Sequence, residues 1–271
     1  MPPLFDSHCH LDLPELAPDW QEYWTEAQAH GVQACLLPAV AAANWPQLLA
    51  MSEQQPLFYA ALGIHPWWAA TANVADLTQL ECLLQQREPN SKICAVGEIG
   101  LDFALESATF AVQQQLFSAQ LSIAKRQHLP VILHHRQSQP QLLAELKRQQ
   151  FSEGGILHAF AGSYAQAKAF IDLGFKLGIG GTITYERAIK TRNTVKKLPL
   201  SALVIETDAP AMPLAGFQGQ NNVPAQLARV FACLQTLRVE SASQLQHALW
   251  ENTVSALRLN KVPLAIAPEV L

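Results

Sequence analysis

Apolar and polar positions along this chain switch between two periods. Short runs of aliphatic and β-branched residues recur at Leu4–His8, Ala34–Val40, Tyr59–Ile64, Ile93–Ile99, Val131–His135, Gly155–Ala159, Lys176–Ile179 and Leu203–Glu206. Each reads as a strand bounded by turn residues. Longer stretches with apolar residues at helical spacing fill the gaps. They predict helices over Trp20–His30, Trp45–Gln55, Val74–Arg87, Phe110–His128, Gln141–Gln150, Tyr164–Leu173, Arg187–Lys197, Ala225–Leu237 and Ala242–Leu257. The punctuation agrees: Gly31 and Gly174 stand where helices stop, Pro46 in a first turn, and Pro130 just past a helix end. Eight strands alternating with helices predict a parallel sheet, and eight such units close into a (β/α)8 barrel. No linker or composition shift divides the chain, so residues 1–271 are expected to form a single domain of this α/β class.

Composition narrows the class. A hydrophobic content of 49% with 15% charged residues suits a well-buried globular enzyme and argues against disorder or a coiled coil. No apolar stretch approaches the roughly 18 residues of a membrane span. The start, Met1-Pro2-Pro3-Leu4-Phe5-Asp6, runs into a strand with no basic region and apolar signal core, so a cytoplasmic location is expected. Five cysteines (Cys9, Cys35, Cys82, Cys94, Cys233) without a C-x-x-C pair fit a reducing compartment better than a disulfide framework or thiolate zinc site. The net charge of −4 argues against holding duplex nucleic acid by bulk electrostatics. A polyanionic substrate would have to be handled by metal ions and a few placed cations. No membrane or stable protein partner is implied.

The candidate chemistry collects at strand ends, where barrels of this kind carry their active sites. His8 and His10, two residues apart on an extended segment, project to one side while Cys9 projects to the other. Further strand ends carry His65, Glu98, His134, His158 and Asp208. Helices hold His30, His128 and His247 instead. Four histidines, a glutamate and an aspartate converging on one mouth can hold two divalent cations and activate a water between them. Neither a G-x-S-x-G elbow nor a G-x-x-x-x-G-K-[ST] phosphate loop occurs.

Taken in order, His8-Cys9-His10, Gly63-Ile64-His65-Pro66, Gly97-Glu98-Ile99-Gly100-Leu101-Asp102, Val131–Arg136, His158–Ser163 and Glu206-Thr207-Asp208-Ala209-Pro210 resemble the TatD family of metal-dependent deoxyribonucleases, in the amidohydrolase superfamily. The likeness runs over essentially the whole chain, and Met212–Gln220 looks most like the YjjV branch. The resemblance implies that His8, His10 and Asp208 bind one metal and His134 and His158 another. It implies that Glu98 bridges the two and that Asp208 orients or deprotonates the attacking water. It also implies two divalent ions (Mg²⁺, Zn²⁺ or Mn²⁺) and a nucleic-acid substrate, single-stranded DNA or ends. Histidine-rich ligation favours Zn²⁺ by affinity, whereas the family's nuclease activity is associated with Mg²⁺. Two departures stand out: Gln139 where the family often has an acidic residue, and Asn221-Asn222-Val223-Pro224 in place of a tighter Asn-x-Pro.

Other residues keep two readings each. His65 contacts substrate phosphate at the mouth or braces the metal ligands. Arg136, in phase with His134, reaches phosphate, whereas alternation turns His135 outward. Trp67 and Trp68 stack on bases or fill core. Glu206 is expected to support a ligand and Asp102 to hydrogen-bond a loop. Arg187, Lys190, Arg192, Lys196 and Lys197 are a solvated helix face, or a phosphate site after strand seven. The expected function is a divalent-metal-dependent hydrolase, a phosphodiesterase or deoxyribonuclease acting on DNA or RNA ends. A two-metal hydrolase of a small ester, lactone or amide is the alternative, and a non-catalytic barrel with structural metals is the third class.

Overall fold

The computed structural model describes residues 3–259; residues 1–2 and 260–271 of the expected domain lie outside them. Eight strands pair in parallel in sequence order. They are β1 (Leu4–Asp6), β2 (Val32–Pro38), β3 (Phe58–Leu62), β4 (Ile93–Asp102), β5 (Val131–Arg136), β6 (Gly155–Leu157), β7 (Phe175–Ile179) and β8 (Leu203–Ile205). The helices are α1 (Trp20–Ala29), α2 (Trp45–Ser52), α3 (Val74–Gln85), α4 (Phe110–Arg126), α5 (Gln139–Arg148), α6 (Tyr164–Ile171), α7 (Ile189–Lys197), α8 (Leu227–Leu237) and α9 (Ala242–Ala256). Every expected strand and helix is present, with ends shifted by a few residues.

The main departure is at the first strand, which ends at Asp6 and not at His8. Beyond it the chain stays extended and closes the barrel against the segment after β8. Ser7 N–H donates to Ile205 O at 3.0 Å, Asp208 N–H to His8 O at 2.8 Å and His10 N–H to Ala209 O at 2.8 Å. The seam therefore forms through the residues on either side of the candidate ligands. Asp6, fully buried, reinforces it by accepting from Thr207 Oγ1 at 2.6 Å and Thr207 N–H at 3.0 Å. Burial pushes the Asp6 carboxyl up to about 7, against the pull of the Thr207 hydrogen bonds.

Two apolar layers build the body. Phe5, Ala34, Leu36, Ala61, Ile132, Ile156 and Val204 fill the barrel interior, with Trp250 of α9 packed 5.5 Å from the Phe5 ring. Tyr59, at the start of β3, joins the same cluster, so Trp250 plugs the end opposite the strand C-termini. The larger layer lies between strands and helices and contains Cys9, Cys35 and Leu37. One end of the barrel is stoppered, and the other is open for chemistry.

Candidate metal centre

A bulge aims the central carboxylate. Along β4 and β5, Val96 pairs with Val131 and Ile99 with Leu133, so β4 carries one extra residue between the two pairs. That extra length is Gly97-Glu98. Gly97 lies so close to β5 that an added Cβ would sit 2.6 Å from Ile132 Cβ. The glycine lets the bulge press into the neighbouring strand while Glu98 turns into the mouth.

The two oxygens of Glu98 face different partners. Oε2 lies 3.1 Å from His8 Nε2 and 3.4 Å from His10 Nε2. His8 Nε2 and His10 Nε2 are 3.0 Å apart, and Asp208 Oδ1 stands 3.5 and 3.6 Å from them. Donors about 2.0–2.2 Å from a common tetrahedral centre are about 3.3–3.6 Å from one another. These separations fit a divalent cation. On the other side, Glu98 Oε1 lies 2.8 Å from His134 Nδ1 and 2.9 Å from His158 Nε2, with the two nitrogens 3.3 Å apart. This second set has three donors and opens toward a cavity of about 900 Å³ at the mouth. All six predicted ligand residues meet here.

A hydrogen-bonded partner stands behind His10, and carboxylates lie near the outer nitrogens of His134 and His158. His10 Nδ1 lies 2.9 Å from Pro38 O, so that nitrogen carries a proton and Nε2 is the one turned toward Glu98 and Asp208. His134 Nε2 lies 3.5 Å from Asp102 Oδ2. His158 Nδ1 is 3.7 Å from Glu206 Oε1, and the His8 and His158 rings stack at 4.1 Å. Glu206 is held against β7, where a Cβ on Gly178 would fall 2.0 Å from its Oε2. Asp208 adopts φ +57, a left-handed conformation that aspartate tolerates better than most residues, and this swings its carboxylate off the seam into the mouth.

Electrostatics hold the cluster charged. Glu98 is fully buried, which favours its neutral form, yet His158, His65 and His8 together with the His10 hydrogen bond keep it well below the usual carboxylate range. Burial likewise opposes ionised Asp208, but the His10 hydrogen bond and the His158 and His8 charges hold it down. The same pairing acts against burial to keep His10 and His158 well above the ordinary imidazole range. Among the described residues, neither carboxylate has a lysine or arginine in ion-pair reach. A divalent cation would supply the positive charge that the two buried carboxylates lack.

His65 stands apart. Its Nδ1 accepts from Trp67 N–H at 3.1 Å, which leaves the proton on Nε2, 3.5 Å from Glu98 Oε1. Burial pushes this imidazole down to about 4, so the ring is neutral, and with Nδ1 occupied by the Trp67 N–H it turns an N–H toward Glu98. Trp67 is 57% exposed and donates its indole N–H to Asp102 Oδ2 at 2.9 Å; Trp68 is half-buried against the core. Asp102 is the last residue of β4, and it ties that rim to His134. Arg136 is exposed on the cavity wall.

As alternation predicts, His135 lies in phase with Val131 and Leu133 of the layer between strands and helices, its Nδ1 3.3 Å from Gln139 Nε2 at the start of α5; it also borders the cavity, and burial pushes it down to about 3. Gln139 is buried at the start of α5, bonded to Gln166, and Asn222 braces the loop after β8 by donating to Thr207 O. Asp6 went unnoticed in the sequence, although a carboxylate closing an apolar run two residues before His8 was the signal available.

The profile of the family described as TatD related DNase matches residues 5–258. The chain belongs to the TatD family. It is similar to the uncharacterized metal-dependent hydrolase YjjV of Escherichia coli K12, at 47% identity over 248 residues, 92% of this chain and 95% of that protein. The crystal structure of YjjV, described as a TatD homologue, superposes with a TM-score of 0.91 at 45% identity, covering 95% of this chain and 98% of that one. A Klebsiella pneumoniae relative named 3'-5' ssDNA/RNA exonuclease TatD is 30% identical over 249 residues, 90% of this chain and 93% of its own. This TatD chain is thus a metal-dependent hydrolase. None of its described helices is long and apolar enough to cross a membrane.

Proposed function

We propose that this chain is a two-metal phosphodiesterase that acts on the ends of single-stranded DNA or RNA. The observation that carries the reading is the division of Glu98, one oxygen toward His8 and His10 and the other toward His134 and His158. A carboxylate so shared suits a bridging ligand. His8, His10 and Asp208 would complete one site, and His134 and His158 the other. Bound divalent ions, Zn²⁺, Mn²⁺ or Mg²⁺, would supply Lewis-acid activation of the phosphate and a water of lowered pKa.

The protein's own groups do the rest. Asp208, kept ionised, turns one oxygen to His8 and His10 while its carboxylate borders the cavity, where it takes the proton of the attacking water. His65 Nε2–H and the Arg136 guanidinium line the same cavity and hold phosphate oxygens. Trp67 at the rim offers a face for a terminal base. The name of the Klebsiella relative supports a nucleic-acid substrate.

The test is turnover by metal-reconstituted protein on short single-stranded DNA and RNA beside a panel of small phosphodiesters and lactones. Turnover of lactones with none of phosphodiesters would assign the site to small carboxylic esters. No turnover of any substrate would leave the metals a structural role.

A further inference from the structure

We propose that a pocket built on Tyr185 and Arg187 is a second nucleotide subsite. It takes the phosphodiester and base that follow the scissile end of a single-stranded polynucleotide. The inference rests on the phosphodiesterase reading and deepens it, since a substrate with one phosphate has no use for such a site.

The pocket has a volume of about 370 Å³, within the range of small-ligand sites, and is lined by Thr182, Tyr185, Arg187, Ala188, Met212 and Pro213. Met212 also lines the mouth above the metal centre, so the two spaces are neighbours that share this residue. The Tyr185 hydroxyl donates to Pro213 O at 2.6 Å, which fixes the ring, and the Arg187 guanidinium lies 4.8 Å from the ring centroid. An anchored ring with a guanidinium over it presents stacking surface and phosphate donors together. No carboxylate lies in ion-pair reach of Arg187 among the described residues.

The basic run of the sequence divides accordingly. Arg192 turns inward onto Ile183 O and Cys233 Sγ. Lys196 and Lys197 occupy the last turn of α7, about 10 Å down the helix from its mouth-end start. Lys190 sits in the first turn, its Nζ 3.4 Å from Oε1 of Gln166, a residue that lines the mouth. Only Arg187 and Lys190 of the five cations stand where a chain leaving the metal centre would pass.

The experiment measures binding of fluorescently labelled phosphorothioate oligothymidine, which resists hydrolysis, to metal-loaded protein by anisotropy across a salt series. An oligouridine arm separates DNA from RNA. Turnover of bis(4-nitrophenyl) phosphate, a one-phosphate substrate, is followed on the same preparations. Arg187→Ala is expected to weaken oligonucleotide binding at least about fivefold. It should also flatten the slope of log K against log salt by about 0.7, the signature of one lost phosphate contact. Turnover of the one-phosphate substrate should stay at the wild-type level, and Arg187→Lys should restore the salt slope. Wild-type protein that binds no oligonucleotide, or an Arg187→Ala variant that binds as wild type, overturns the subsite. So does equal loss on both substrates. Failure of wild-type protein to turn over bis(4-nitrophenyl) phosphate counts against the phosphodiesterase reading alone, because anisotropy decides the subsite separately.

Discussion

His158 Nε2 lies 2.9 Å from Glu98 Oε1, while His8 Nε2 lies 3.1 Å from Glu98 Oε2, so one carboxylate serves two donor sets. Removing it should disturb both at once. Glu98→Ala is expected to lose both metal equivalents, whereas His158→Ala should weaken mainly one. Metal content by elemental analysis after dialysis checks this. Loss of a single equivalent from Glu98→Ala would show that the carboxylate does not bridge.

In the proposed mechanism Asp208 acts on the chemical step as well as on binding. Asp208→Asn keeps the shape and one carbonyl oxygen but removes the basic group. Turnover is expected to fall by at least about 10², with substrate affinity and much of the metal retained. Turnover, affinity and metal content on one preparation decide it, and near-normal turnover would exclude Asp208 as the base.

Cys9 sits between two candidate ligands, yet it is fully buried in the layer between strands and helices. Cys9→Ala should therefore leave metal content unchanged. A missing metal equivalent in that variant would place the thiol in the coordination sphere.

Protons and metal compete for the same nitrogens. Burial disfavours a charged His10 or His158, but the Asp208 and Glu98 carboxylates outweigh it and hold both rings well above 6.5. Both shifts favour the protonated rings, so metal binding is expected to expel protons. Apparent metal affinity is expected to fall as pH drops from about 8 to about 6, with net proton release on binding. Calorimetry in buffers of different ionisation enthalpy measures that release; a proton-neutral titration would contradict the charge state described above.

Much of this was legible in the chain itself, because the signals were local. The switch between strand and helix periods located the eight strands and nine α-helices of the described residues. The strand-end rule gathered His8, His10, Glu98, His134, His158 and Asp208 before any coordinates did. What escaped depends on register and on pairing between distant segments. Alternation placed His134 and His135 on opposite faces of β5, but nothing in residue periodicity marks the β4 bulge that turns Glu98 into the mouth. Asp6 escaped because its partner Thr207 is 201 positions away. The orientation of the His65 ring rests on the Trp67 N–H that occupies its Nδ1, a contact no spacing in the sequence announces.

The seam between the first and last strands bears on how the molecule comes apart. His8 and Asp208 lie just past the first and the last strand, and their backbones are already joined by a hydrogen bond of 2.8 Å. A cation held by both side chains would act as a clasp on a ring, fastening the first strand to the last. Fastening so long a loop removes freedom mainly from the unfolded chain. Loaded protein should thus melt at a higher temperature than stripped protein. His8→Ala should erase most of that difference, since one half of the clasp would be gone.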